Sequence, residues 1–418
     1  METARSRPQS GYRALLALPV PRRLALASIP ADFADWLDYA AIVALLVYSW
    51  GEGPFVLAFF AVALALPYIL VGPFTALLVD RSPLGRVLFI SNLGRGLATL
   101  ALVFAPNPAA VLLLVFARGC VDSAFTPARQ SAIQASTPED LLPTANGLHQ
   151  AINQTSKIAG PAAGGFLLAV MPAQGVFGIN AMLSVVAALM VIRLDLPRAT
   201  LPEDQKPEGF FGAIFAGVRE FGRTRLLFVA LIYTGVAFFA FFLYDALIAL
   251  LMAEFGFDAT AFGIAIAVSG AGGLVGALIA GALTLRQPLN VMAASSLLSG
   301  IITVTLAAAA LTGFPLPLLP FLVGAGIMGG STAFMMVPYR TIIQRHTPPD
   351  RIARVFAAGE AVTMVVMLSA PFLGSLIAVS YGTGAAFLAG GLLLAALGTV
   401  TLAGMLLRRL PGGGLGSA

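Results

Sequence analysis

Long apolar runs recur from one end of this chain to the other, and they constrain its fold more than any other feature. A helix needs about 20 apolar residues to cross a bilayer, because every backbone amide in lipid must be paired within the segment. Of the 418 residues 59% are hydrophobic and 10% are charged, against about a quarter charged in soluble domains. The sequence therefore predicts an all-α membrane protein with twelve transmembrane helices. The predicted spans are residues 30–50, 54–78, 87–105, 109–126, 147–171, 174–194, 226–251, 259–283, 289–312, 316–337, 355–380 and 384–407.

The basic residues predict the topology. Of the 24 Lys and Arg, all but Arg95, Arg118 and Lys157 lie at the chain ends or in and beside the loops after even-numbered spans. Positive residues favour cytoplasmic loops, so we expect a multi-pass protein of the cell inner membrane with both termini cytoplasmic. Because topology accounts for the net charge of +5, the sequence predicts no nucleic-acid partner. No cleavage site is evident before the first span, which favours a retained helix.

Several kinds of chemistry find no support in the sequence. Cys120 is the single cysteine and lies inside a span, and the two histidines are far apart. The chain has no phosphate-binding loop ending in Gly-Lys-Ser/Thr and shows no nucleophile paired with a base. We therefore expect no enzyme, no cofactor and no metal.

A long polar interval divides the chain into two halves. It runs from Arg193 to Gly209, and a Phe-rich stretch with helical spacing follows it. Such a stretch is typical of a helix lying on the membrane surface, although an unstructured linker is the alternative. The predicted domains are 1–195, a six-helix half; 196–225, a cytoplasmic linker with an amphipathic helix; and 226–418, the second six-helix half.

One polar sequence, predicted to be a loop, occurs twice in the chain. "PARQSAIQASTPED" (residues 127–140) recurs as "PYRTIIQRHTPPD" (residues 338–350), and the same register maps Pro161 onto Pro371. Six spans followed by six spans inserted in the same sense form a parallel repeat, whose halves rock about a central site. The duplicated loop therefore predicts two parallel six-helix halves.

Four stretches resemble one known family. They are "DFADWLDYAAIVALLVY", "RVLFISNLGRGL", "TPEDLLPTANGL" with the following "GPAAGG", and "QRHTPPDRIARVF". They resemble the major facilitator superfamily, and within it the branch of the enterobactin exporter and the macrolide efflux permeases. The similarity covers nearly the whole chain after Arg22.

The resemblance implies a secondary transporter that works by alternating access. The expected function is proton-coupled export of amphipathic organic compounds, such as drugs or siderophores; the alternative is an uptake transporter or lipid translocator of the same fold. Its expected partners are a small-molecule substrate, protons and membrane lipids, and we expect a monomer.

Two motifs are the candidates for conformational gating. In the loop after the second span, Ala76 stands where the family has a glycine, and Asp80, Arg81 and Arg86 resemble the remnant of its charge latch. In "GPAAGG", small residues permit close helix approach and a bend, although plain packing explains them equally. The residues of this second motif are Gly160, Pro161, Gly164 and Gly165.

Acids and arginines at span depth form the other candidate site. Asp35 and Asp38 lie one turn apart, and Arg95, Arg118 and Asp122 reach a similar depth on the third and fourth spans. Two neighbouring acids repel when both are ionised, so one holds a proton unless a cation intervenes. We expect a buried network, acting either as a structural lock or as a proton site.

The fifth and seventh spans contribute further polar residues. His149, Asn153 and Lys157 form one helical stripe, with Lys157 near the midplane as a contact for an anionic substrate or as a static partner of an acid. His149 and Asp32 are expected to lie at the cytoplasmic interface. The predicted proton-coupling residues are Asp35, Asp38, Asp122 and Asp245, with cation binding or a polar wall at the outer mouth as the alternatives for Asp245. The predicted substrate cavity comprises Arg95, Arg118, Asn153, Lys157 and Tyr244.

Overall fold

The chain is described here from a computed structural model. The described residues are 11–192, 224–282, 287–347 and 352–407, together with positions 194, 196, 219, 221 and 222. The predicted linker 196–225 therefore lies almost wholly outside the described residues, and its amphipathic helix stays a prediction.

Most of the described residues are helical and form twelve spans at the predicted places, of which spans 1, 4 and 10 extend well beyond the predicted bounds. A short helix, Tyr12–Ala17, precedes them. Spans 1 to 6 are Pro19–Trp36 with Tyr39–Ala44 and Leu45–Ser49; Pro54–Leu70 with Gly72–Arg81; Leu84–Leu102; Pro108–Asp122 with Phe125–Ser136; Leu142–Val170; and Ala173–Val191. Spans 7 to 12 are Arg225–Phe242 with Asp245–Leu247 and Ile248–Glu254; Ala259–Ala282; Pro288–Thr312; Leu318–His346; Ile352–Tyr381; and Thr383–Leu406.

Eight of these helices are long and apolar enough to cross a membrane by length and composition alone, and they are spans 4 and 6 to 12. The other four are spans 1, 2, 3 and 5, all in the first half. Span 1 is interrupted at Leu37 and Asp38, and span 2 at Val71. Spans 3 and 5 carry charged side chains at depth, Arg95 and Lys157. In spans 1, 3 and 5, charged residues predicted to form the site lower the hydropathy, whereas span 2 falls short by its length.

Tight turns join the spans at the end predicted to face outward. Gly51, Gly256, Gly313 and Gly382, each in a loop after an odd-numbered span, have positive φ angles. Gly313, for example, has φ 66° and ends span 9 in the left-handed conformation, which other L residues rarely adopt. These turns leave little chain outside the spans at this end.

The chain forms two compact units. The first has its described residues within Met1–Asp38, Leu66–Gly160 and Gln174–Gln205. The second comprises those within Tyr39–Ala65, Pro161–Ala173 and Lys206–Ala418. Each unit is built from helices of the six-helix halves, but the second also includes parts of spans 1, 2 and 5.

In the second unit, these parts of spans 1, 2 and 5 pack against spans 7, 8 and 11. The Tyr48 hydroxyl donates to the Ala249 carbonyl (3.1 Å), and the Ser375 hydroxyl donates to the Pro54 carbonyl (2.8 Å). The Gly165 and Gly263 backbones approach so closely that a Cβ on Gly165 would lie 2.2 Å from the Gly263 oxygen. Contacts of this kind require glycine at both positions.

We expect Gly165→Ala to destabilise the second unit, because the added methyl group overlaps the Gly263 carbonyl. Overpacking of this kind costs about 1–3 kcal/mol, which lowers the thermal unfolding midpoint of the purified protein in detergent. The matched control is Gly178→Ala in span 6, where an added Cβ meets nothing within 4 Å. Equal midpoints for the two variants would show that the contact at Gly165 is dispensable.

Candidate functional site

Arg95 is the centre of a buried charge network in the first unit. Its side chain is 1% exposed. It donates to the Asp35 carboxylate and, at 2.9 Å each, to Asp122 Oδ1, to Asn92 Oδ1 and to the Ala31 carbonyl. One guanidinium therefore holds two carboxylates, and it links spans 1, 3 and 4 at membrane depth, as the sequence predicts.

Arg118 stabilises the interruption in span 1. Its guanidinium donates to Asp38 Oδ2 at 2.5 Å, and also to the carbonyls of Ala34 (3.1 Å) and Asp35 (3.2 Å). The last carbonyls of a helix have no partner within it, and the helix that contains these two ends at Trp36. Arg118 therefore binds both the acid and the backbone that the break leaves unpaired.

Tyr68 connects the network to an exposed surface, and the sequence analysis missed it. Its hydroxyl donates to Asp122 Oδ2 at 2.5 Å, while 39% of its surface is exposed. It follows Pro67, near the point where span 2 breaks. A tyrosine next to a proline inside an apolar run was the available signal.

Asp32 and His149 correct two expectations. Asp32 is 0% exposed and accepts from Arg129 at 2.5 Å, so it is neither solvated nor a helix cap. His149 is also buried, with Nδ1 3.1 Å from the Ser28 hydroxyl. Both expectations rested on the position of the residue along its own helix. They did not consider that span 4 continues to Ser136 and places Arg129 beside span 1. Arg129 belongs to the duplicated stretch, which was predicted as a loop but is helical up to Ser136 in its first copy, and this copy thus includes a buried ion pair.

The Phe125 ring contacts two guanidinium groups. Arg95 is 5.2 Å and Arg129 is 5.0 Å from the ring centroid. Cation–π contacts are stronger where the cation is desolvated, and both arginines are buried. Phe125 therefore joins the two ion-pair clusters into one packed region.

The polar stripe of span 5 lies beside the same region. Asn153 is next to Asp32, and the Lys157 ammonium is 5.8 Å from the Trp36 ring centroid. Gly160, one turn further, packs on Trp36, where an added Cβ would lie 2.8 Å from the Trp36 Cβ.

The other predicted gating residues are placed as follows. Gly164 and Gly165 are buried and Pro161 is half-buried inside span 5. Arg81 and Arg86 are exposed, and the side chain of Asp80 lies outside the described set. The charge latch of that loop stays a prediction.

Tyr244 and Asp245 lie in the second unit and line a cavity of about 150 Å³ between spans 7, 8, 9, 10 and 12. Tyr244 is fully buried, and its ring centroid is 4.9 Å from that of Phe387. Asp245 begins a short 3₁₀ turn where span 7 is interrupted. The residues predicted for one substrate cavity are thus distributed over both units.

We expect replacement of either charged residue of the Asp32–Arg129 pair alone to destabilise the protein more than replacement of both together. Asp32→Leu or Arg129→Met leaves one buried charge unpaired, which costs about 3–5 kcal/mol, whereas an apolar replacement of both partners is often nearly neutral. Thermal unfolding of the two single variants and the double variant measures the coupling. Additive losses would contradict the pairing.

Known proteins match both halves of this chain. The family model described as Major Facilitator Superfamily matches residues 24–249 and 231–416. The chain is 29% identical over 412 residues to the uncharacterized MFS-type transporter YfiS of Bacillus subtilis (strain 168), covering 97% of this chain and 95% of the relative. It is 25% identical over 343 residues to macrolide efflux protein A of Streptococcus pyogenes, covering 80% and 84%.

Solved transporter structures share the fold. A bacterial homologue of the human lysosomal transporter Spinster, in an inward-facing and unoccupied conformation, gives a TM-score of 0.66 at 14% identity, over 96% of this chain and 99% of that one. A POT family transporter in complex with 5-aminolevulinic acid gives 0.71 at 12% identity, over 95% and 98%.

These matches confirm the resemblance, including that to macrolide efflux proteins, and the twelve-helix architecture in two parallel halves. At the identities of the solved structures, the likeness shows the fold alone. With a family model that covers nearly all of both halves, the chain belongs to the Major Facilitator Superfamily of transporters.

Proposed function

We propose that this transporter exports amphipathic organic compounds across the cell inner membrane by proton antiport, as a monomer with both termini cytoplasmic. The proposal of proton coupling rests on the numbers of acids and arginines in the charge network. Asp35 and Asp122 share Arg95, while Asp38 and Asp32 each have an arginine of their own. Four carboxylates with three guanidiniums leave one negative charge, which one proton neutralises.

Asp35 is the acid that we assign to the proton. Its side chain is 21% exposed, against 10% for Asp122 and 2% for Asp38. An unpaired charge at span depth is costly, so protonation of Asp35 leaves Arg95 paired with Asp122 alone. Tyr68, which bonds Asp122 and is partly exposed, is placed to sense what occupies the space beside it.

The packing of the second unit supports alternating access. Parts of spans 1, 2 and 5 from the first half lie against the second half next to the tight turns, at the end predicted to face outward. Proton and substrate then shift the equilibrium between states through their different affinities for each.

The proposed direction of transport and the proposed substrate class rest on similarity to known proteins. Relatives named macrolide efflux protein A match most of the chain. We transfer from them the direction of transport and a broad class, amphipathic organic compounds.

We expect Asp35→Asn to abolish transport driven by a pH gradient while the protein still inserts and unfolds at the wild-type temperature. Asp38→Asn acts differently, because it frees Arg118 at the helix break and so lowers the unfolding temperature. Proteoliposomes with an imposed pH gradient and a pH-sensitive dye measure the coupling. Glu139→Gln, an exposed acid in the duplicated loop, is the matched control. Normal proton movement in Asp35→Asn would place the coupling group elsewhere.

We expect cells that express the protein to tolerate higher concentrations of its substrates than cells without it. A panel of macrolides, other amphipathic drugs and siderophores, tested in a host that lacks its own efflux pumps, identifies the class. Cells that express Asp35→Asn at the same level should match the empty host. Sensitisation by the wild-type protein would indicate uptake and overturn the proposed direction.

A further inference from the structure

Asp245 differs from the other acids at span depth. Asp32, Asp35, Asp38 and Asp122 all form ion pairs with arginine. Within the described parts of the chain, Asp245 forms no ion pair; its polar neighbour is the Tyr39 hydroxyl. Among the described residues that line its cavity, Asp245 is the single charged side chain. Asp245 is half-buried, and a carboxylate withdrawn from water without a cation is unfavourable in a low-dielectric interior.

The internal repeat indicates which position of the second half matches the arginine of the first half. Leu37-Asp38-Tyr39-Ala40 at the break of span 1 corresponds to Leu243-Tyr244-Asp245-Ala246 at the break of span 7, with aspartate and tyrosine exchanged. In both halves, an aspartate thus lies at or beside the interruption of the first span.

In the first half, the cation is Arg118, nine residues before Pro127 of the duplicated loop. Nine residues before Pro338, the matching proline, stands Gly329, and Gly329 lines the same cavity as Asp245. In this sequence register, a glycine of the cavity wall stands in the second half where Arg118 stands in the first.

The walls of the cavity suit an organic cation. Phe238, Phe241, Phe321 and Phe387 line it beside Tyr244, and aromatic faces attract desolvated cations. A hard metal ion requires six or more oxygen ligands, whereas most of this lining is hydrocarbon. The volume of about 150 Å³ is that of an engineered apolar cavity that accepts benzene.

We propose that the cavity of the second half binds a small aromatic or alkyl cation of the amidinium, guanidinium or ammonium class, with its charge on Asp245 and its apolar body among the phenylalanines. As an assignment of substrate chemistry, this rests on the proposed function. As a binding site, it stands by itself, because binding is measured without transport.

The test uses benzamidine and benzamide, which share a ring and a planar head group but differ in charge. Isothermal titration of the purified full-length protein in detergent measures both. We expect saturable binding of benzamidine and at least tenfold weaker binding of benzamide, since a carboxylate pairs with an amidinium through two charge-assisted hydrogen bonds. Asp245→Asn should reduce the affinity for benzamidine at least tenfold, and Asp245→Glu should retain it.

Glu254→Gln is the control variant, because Glu254 ends the same span and is exposed. A monodisperse elution profile and an unchanged unfolding temperature show that each variant is folded. The proposal is overturned by equal binding of benzamidine and benzamide, by full affinity in Asp245→Asn, or by no saturable binding to the wild type. Binding of benzamidine without export of any compound would contradict the proposed function but support the binding site. Export of neutral compounds alone, without benzamidine binding, would support export but contradict the binding site.

Discussion

The pairing of Arg95 with two carboxylates is the interaction on which the first half depends. A guanidinium buried at membrane depth cannot reach water, so it must find its partners on neighbouring helices. Arg95 takes them from spans 1, 3 and 4, and Tyr68 adds span 2 through Asp122. The charged residues that lower the hydropathy of spans 1 and 3 are thus among those that hold these helices together. The same sharing leaves one acid in excess, which is the physical basis for a proton site.

The second half has the same architecture but is stabilised mainly by close backbone contact. Gly272 lies against Gly326 between spans 8 and 10, and Gly300 against the backbone of span 12. Small residues let helices approach closely in lipid, where no hydrophobic force drives association. Because such packing needs no ion pairs, this half tolerates a cavity with one acid that has no ion-pair partner among the described residues. The halves have therefore diverged in chemistry: the first holds a charge network and the second an aromatic cavity.

Sequence reasoning succeeded where a short range of residues carries the signal. Twelve apolar runs predicted twelve spans, and the duplicated loop predicted two parallel halves. Similar depths along the helices predicted that Asp35, Arg95 and Arg118 would meet in one network, with Asp122 a turn nearer the cytoplasm. It failed for Asp32 and His149, which were predicted to lie at the interface. The position of a residue along its own helix does not show which neighbouring helix covers it. Sequence reasoning also missed Tyr68, whose role appears only once span 2 lies beside span 4.

The sequence by itself determined the membrane environment, the number of helices, their parallel duplication and the acids and arginines available at depth, because hydrophobicity and charge act residue by residue in a bilayer. Only the tertiary structure decided which acid pairs with which arginine, and that Asp245 pairs with none among the described residues. Those choices depend on helix rotation and on the breaks in spans 1 and 7, and both are set by packing between helices distant in sequence.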